Sequence, residues 1–163
     1  MAVSAYEIIS TQTLGSAQAS ITLNSISSAY TDLVLVINGI KSGTGSSDIF
    51  WQANGDTANN YSQTSIYGTG SAAASDRGSS GPARGGRIGS DQSVSVFNFQ
   101  NYSNSTTYKT CVSRGNSAGN LVIANAGMWR STSAITSIVL SVADASNFNT
   151  GTVVTLYGIK AAS

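Results

Sequence analysis

This sequence predicts an all-β fold, a two-sheet antiparallel sandwich, and three observations carry the prediction. No stretch sustains an apolar period of 3.6 residues between caps, so no helix is expected. Instead, about ten short runs rich in Val, Ile, Thr and aromatic residues recur at the 8 to 12 residue spacing typical of sandwiches and barrels. At 163 residues the chain fits one domain, residues 1–163, which can bury roughly two thirds of its unfolded surface.

The first runs, AYEIISTQT at 5–13 and ASITL at 19–23, are short strands separated by LGSAQ. Residues 33–40, LVLVINGI, place Leu33, Leu35 and Ile37 on one face and Val34 and Val36 on the other, as a central sandwich strand does. KSGTGSS then links into DIFWQAN, Asn54-Gly55 signals a turn, and YSQTSIYG follows. Trp51, beside Phe50, is either a buried core aromatic, the commoner outcome, or a sugar-stacking platform or oligomer anchor. Asp48, Asp56 and nearby Asn residues have the chemistry to bind a hard cation. Their spacing does not match a calcium loop, and Asx-turn chemistry is the better reading.

Composition changes at Gly68. Residues 68–92, GTGSAAASDRGSSGPARGGRIGSDQ, read as one long Gly/Ser-rich loop that holds the chain's one proline. The loop cannot build a core of its own, which predicts that a neighbouring subunit or partner orders it. Arg77, Arg84 and Arg87, each able to pair with a carboxylate in a fork geometry, and Pro82 are the candidate partner-contact residues. A plain surface loop is the bland alternative. Nucleic-acid binding is disfavoured, because the segment has no aromatic residue to stack on bases. As a fastening arm, residues 71–86 would be removable without unfolding the sandwich.

Residues 93–100, SVSVFNFQ, set Val94 and Val96 against Phe97 and Phe99 on opposite faces, giving a second two-sided strand. YKTCVSR at 108–114 and NLVIANAGMWR at 120–130 continue the pattern. Ala124, Ala126 and Gly127 mark a thin place where another backbone can approach. Cys111 falls mid-strand and reads as a buried structural thiol. Asn60, Asn101 and Asn104 lie in sequon-like triplets and read as turn residues. Runs 134–142 and 152–159, with DASNFNTG between them, predict a closing β-hairpin. In its second run Val153, Thr155, Tyr157 and Ile159 oppose Val154 and Leu156, which places that strand inside a sheet.

Only 9% of residues are charged, and the net charge is +1. That balance supplies no long-range field for nucleic acid or an anionic membrane, and neither partner is expected. One cysteine and no histidine leave no intramolecular disulfide and remove the usual zinc ligand and catalytic base. The seven acids are scattered singly, without the carboxylate pair a glycosidase requires. A non-enzyme without cofactors is the expectation. The start, MAVSAYEIIS, has no basic region followed by an apolar core, and no apolar run approaches 18 residues, which predicts synthesis in a cytoplasm and a soluble chain.

Four stretches carry a family resemblance: YTDLVLV at 30–36, NNYS at 59–62, residues 101–109, and residues 129–160 with AITSI, FNTGT and TLYGIK. Together they resemble the jelly-roll family of structural proteins in tailed-bacteriophage virions. The likeness covers most of the chain and is weakest in 68–92, where Pro82 and the three arginines have no counterpart. It implies a sandwich of jelly-roll type and a head decoration, or cement, protein on the outer surface of the capsid. Its implied partners are the major capsid protein and itself, as a homotrimer. The alternative is a receptor- or glycan-binding module of a tail fibre or spike. The chain has neither a long shaft nor a coiled coil, which favours a protein that coats a surface in many copies.

Overall fold

The computed structural model describes residues 5–79, 81–119 and 121–160. They form twelve strands and no helix: β1 (Tyr6–Thr13), β2 (Ser20–Leu23), β3 (Asp32–Gly39), β4 (Ser46–Ala53), β5 (Tyr61–Gly68), β6 (Ala73–Gly78), β7 (Ala83–Gly89), β8 (Ser93–Gln100), β9 (Lys109–Ser117), β10 (Leu121–Trp129), β11 (Ile138–Val142) and β12 (Val153–Ile159). An eight-stranded sheet runs β1-β12-β3-β8-β9-β10-β5-β6, and a four-stranded sheet runs β2-β11-β4-β7. Every pairing is antiparallel. The two sheets face each other across one hydrophobic cluster, a β-sandwich in which eight strands oppose four.

Alternation along the strands decides what enters that cluster. Leu33, Leu35 and Ile37 of β3 point inward and are at most 1% exposed, as are Phe97 and Phe99 of β8. Trp51 of β4 is fully buried and meets Tyr61 and Phe99 edge-on, with ring centroids 5.6 and 5.1 Å away. Cys111 is also buried, and burial raises its thiol pKa. The second face of β8 turns outward, with Val94 40% exposed, whereas Val34 on the second face of β3 is 7% exposed. Asn54 and Gly55 form the expected turn with φ of 53° and 66°, closed by Asp56 N–H donating to Ala53 O at 2.9 Å.

Two sequence expectations need correction. The runs at 134–142 and 152–159 are not a hairpin: β11 pairs with β2 and β4 in the small sheet, while β12 pairs with β1 and β3 in the large one. The link between them crosses from one sheet to the other, anchored by the fully buried Phe148, whose backbone exchanges hydrogen bonds of 2.8 and 2.9 Å with Gln18. Each run is apolar on both faces, so a sheet interior satisfies it whichever neighbours it takes. Residues 68–92 are likewise not one long loop, because they contain β6 and β7. β7 is ordered from within the chain. It pairs with β4 along one side, and the Ser95 hydroxyl accepts from Arg87 N–H at 3.0 Å and donates to Arg87 O at 2.9 Å.

Candidate partner-contact site

The bulge in β7 explains where its arginines go. Asp48 of β4 pairs with Arg87 and Ile49 with Gly86, but Phe50 pairs with Arg84, so Gly85 is an extra residue. Residues three apart on a regular strand lie on opposite faces. The bulge resets the phase, and Arg84 and Arg87 both reach Asp48. Arg84 Nε lies 2.7 Å from Asp48 Oδ2, an ion pair whose N–H is not aimed along the contact, and Arg87 Nη1 donates to Asp48 Oδ1 at 2.8 Å. Arg87 also donates through Nη2 to the Ser46 hydroxyl at 2.8 Å.

Arg84 extends this cluster to the large sheet. Its Nη1 donates to both Asp76 oxygens of β6 at 2.7 Å and to Ser65 Oγ of β5 at 3.3 Å. Ser65 Oγ in turn donates to Asn125 Oδ1 at 2.7 Å, and Asn125 Nδ2 to Ser113 Oγ at 3.3 Å, a buried polar chain across β5, β10 and β9. Burial disfavours the Arg84 guanidinium charge, but the Asp76 hydrogen bond and the two nearby carboxylates outweigh it and hold the pKa above its ordinary value. A cleft of about 220 Å³ lies among Asp48, Tyr67, Asp76, Arg84 and Arg87. Both Asp48 oxygens are taken by guanidinium groups, so the cluster braces the two sheets against each other.

The four sequence candidates therefore separate. Arg84 and Arg87, with side chains 19% and 18% exposed, are internal ties between strands. Arg77 is exposed on β6 and borders a groove of about 510 Å³ with Gln100, Thr110 and Val112. Pro82 is half-buried just before β7. Asp56, weighed as a cation ligand, is an Asx-turn acceptor instead. It accepts from Ala58 N–H at 2.9 Å, Asn60 Nδ2 at 2.9 Å and Trp129 Nε1 at 2.7 Å. The Asn60 and Trp129 hydrogen bonds lower its pKa.

Sequence reading missed two buried lysines. Lys109, 1% exposed, donates from Nζ to the carbonyls of Thr107 at 2.7 Å and Thr132 at 3.0 Å, and burial lowers its pKa. Lys41, 4% exposed, meets Asp144 at 3.0 Å and the Thr44 carbonyl at 3.1 Å. Lys109 does fall on an inward position of a strand that alternates through Cys111 and Ser113, so its register alone marks it as unusual.

The outer face of the large sheet is exposed from β9 to β6, whereas Val34 and Thr155 toward its other end are 7% and 9% exposed. Its cross-strand rows read Tyr157-Val34-Asn98-Val112-Ala126-Thr64 and Thr155-Val36-Val96-Arg114-Ala124-Ile66. Ile66 is 63% exposed and Val122 62%, and Arg114 is the charged side chain in the middle of the face. No family model matches the sequence, and no curated protein matches it. Among solved structures, the chain is similar to alginate lyase Aly36B, a K143A/Y185A mutant in complex with alginate tetrasaccharide, at 10% identity over 88% of this chain and 82% of that one. The TM-score is 0.28, too low to carry an inference of fold or function.

Proposed function

We propose that this protein is a non-enzymatic structural protein of a phage virion, a head decoration protein that binds the major capsid protein on the outer surface of the shell. The observation that supports this reading is the outer face of the eight-stranded sheet. Strands about 4.8 Å apart and about eight residues long give it an area of about 800 Å², the contribution of one partner to a standard protein interface. It is sparsely charged, with Arg114 in the middle and Arg77 beside Thr64 at the β6 margin, and it leaves Ile66, Val112 and Val122 in solvent. A face of this kind suits packing on a protein shell. The motif resemblance at 30–36 and 129–160 supplies the class of shell.

Co-sedimentation with heads assembled from the major capsid protein tests the proposal. Saturable binding with a fixed number of copies per head, and a higher head disruption temperature, are expected. Val112→Glu together with Val122→Glu should lower occupancy at least tenfold while circular dichroism stays unchanged. The second reading, a receptor- or glycan-binding module, has less support because Trp51 and Trp129, the residues best suited to stack on a sugar, are 0% and 3% exposed. Dose-dependent binding on a glycan array, with no binding to heads, would replace the first reading by the second.

A further inference from the structure

We propose that β6 is a self-pairing edge, through which two copies of this chain join β6 to β6 antiparallel across a two-fold axis. Among the described residues the sandwich has four strand edges, and three are guarded. β1 carries a bulge between Ile8 and Ser10, β2 is four residues long, and the Ser93 and Ser95 hydroxyls occupy β7 backbone groups at Gly89 and Arg87. Bulges, short strands, covering groups, proline and charged side chains are the devices by which sheets prevent unwanted pairing.

β6 has neither a bulge nor a covering group, and of its two charges Asp76 is neutralised by Arg84, which leaves Arg77 near the strand's end. Its register with β5 is continuous from Gln63↔Gly78 to Gly68↔Ala73. The strand contains no proline and no lysine, and it is exposed from Ala73 through Arg77. Among the described residues its backbone ladder is made with β5 alone. Beside the edge, Ile66, Ala73, Ala74, Val122 and Ala124 line an apolar groove of about 670 Å³, so side-chain burial accompanies any strand added there.

The occupant is a second copy because the edge is self-complementary. A two-fold axis presents a strand to itself in the antiparallel sense, without requiring any other surface. Centred on Ser75, the pairing sets Ser75 opposite Ser75, Ala74 opposite Asp76 and Ala73 opposite Arg77. No like charges are directly opposed, and Asp76 reaches the axis already held by Arg84 at 2.7 Å. The short side chains of Ala73, Ala74 and Ser75 let the two edges close. The arrangement gives an even-numbered assembly, in contrast to the trimer that the family resemblance implies, and does not depend on the virion reading.

Sedimentation equilibrium across the micromolar range tests it with wild type, Ser75→Glu, Ser75→Lys and an equimolar mixture of the two variants. Wild type is expected at twice the 16.6 kDa chain mass. Each variant alone should dissociate at least tenfold more readily, because like charges then meet at the axis, and the mixture should return to the dimer mass. A wild-type monomer or trimer, or a dimer indifferent to both substitutions, overturns the proposal. If a variant loses its β-sheet circular dichroism, hydrogen exchange of wild-type β6 amides decides instead. Protection that rises with protein concentration supports the pairing, and exchange independent of concentration overturns it.

Discussion

Few side chains here carry charge, and most of those that do are engaged inside the molecule. Folding lowers the Asp144 pKa from 3.8 to about 2, first through its hydrogen bond from the Ser146 hydroxyl and then through Lys41, against the opposing effect of burial. A depressed carboxylate stabilises the fold above its unfolded value and loses that contribution as pH falls through its folded value. Asp144→Asn should therefore flatten the fall in Tm between pH 3.8 and about 2, read by calorimetry across that range. Arg84 bridges Asp48 and Asp76, so Arg84→Ala cuts the tie between the sheets: Asp76 loses its guanidinium partner, while Asp48 keeps Arg87 at 2.8 Å. With discount for partial exposure, the expected loss is about 1 to 3 kcal/mol. Arg77→Ala, on an exposed residue, should stay within about 0.5 kcal/mol in the same denaturant titration. Removing the indole donor with Trp129→Phe breaks the 2.7 Å bond to Asp56 and should cost about 1 to 2 kcal/mol.

At the scale of the element, β7 shows how a segment with a linker's composition becomes a buried strand. An added Cβ at Gly86 would lie 2.6 Å from Ser95 Oγ, and one at Gly115 would lie 2.7 Å from Arg87 N and 3.3 Å from Gly86 Cα. The glycines that suggested a loop are the condition for two backbones to meet across the sandwich. Gly86→Ala should overpack this contact and cost about 1 to 3 kcal/mol. Gly15→Ala, where nothing lies within 4 Å, should change stability by less than about 0.5 kcal/mol. Chemical denaturation of both variants measures the contrast. The expectation that residues 71–86 could be deleted from an intact sandwich is reversed, because the deletion removes β6, Arg84 and the start of β7. Loss of cooperative thermal unfolding is the expected result.

For the whole molecule, stability and surface are divided between the sheets. The inner faces meet around Trp51, Tyr61, Phe97 and Phe99, while the large sheet keeps a sparsely charged outer face and, at β6, an edge without bulge or cover. Period-two alternation made most strands legible, because Leu33 to Ile37, Phe97 and Phe99, and the 153–159 run each repeat on the spacing that a half-buried sheet imposes. The burial of Trp51 and Cys111 was legible for the same reason: both sit inside such runs. Alternation does not say which strand lies beside which, so β11 and β12 looked like one hairpin although they belong to opposite sheets. Nor does it register the bulge at Gly85, which brings Arg84 and Arg87 to one carboxylate. An all-β chain, most of its strand positions and its shortage of charge follow from local pattern and composition, which can be read along the chain. Partner choice among strands, the internal pairing of the arginines and the exposure of β6 were decided only by tertiary structure, because each depends on groups far apart in the chain, such as Arg87 and Asp48 at 39 positions' separation.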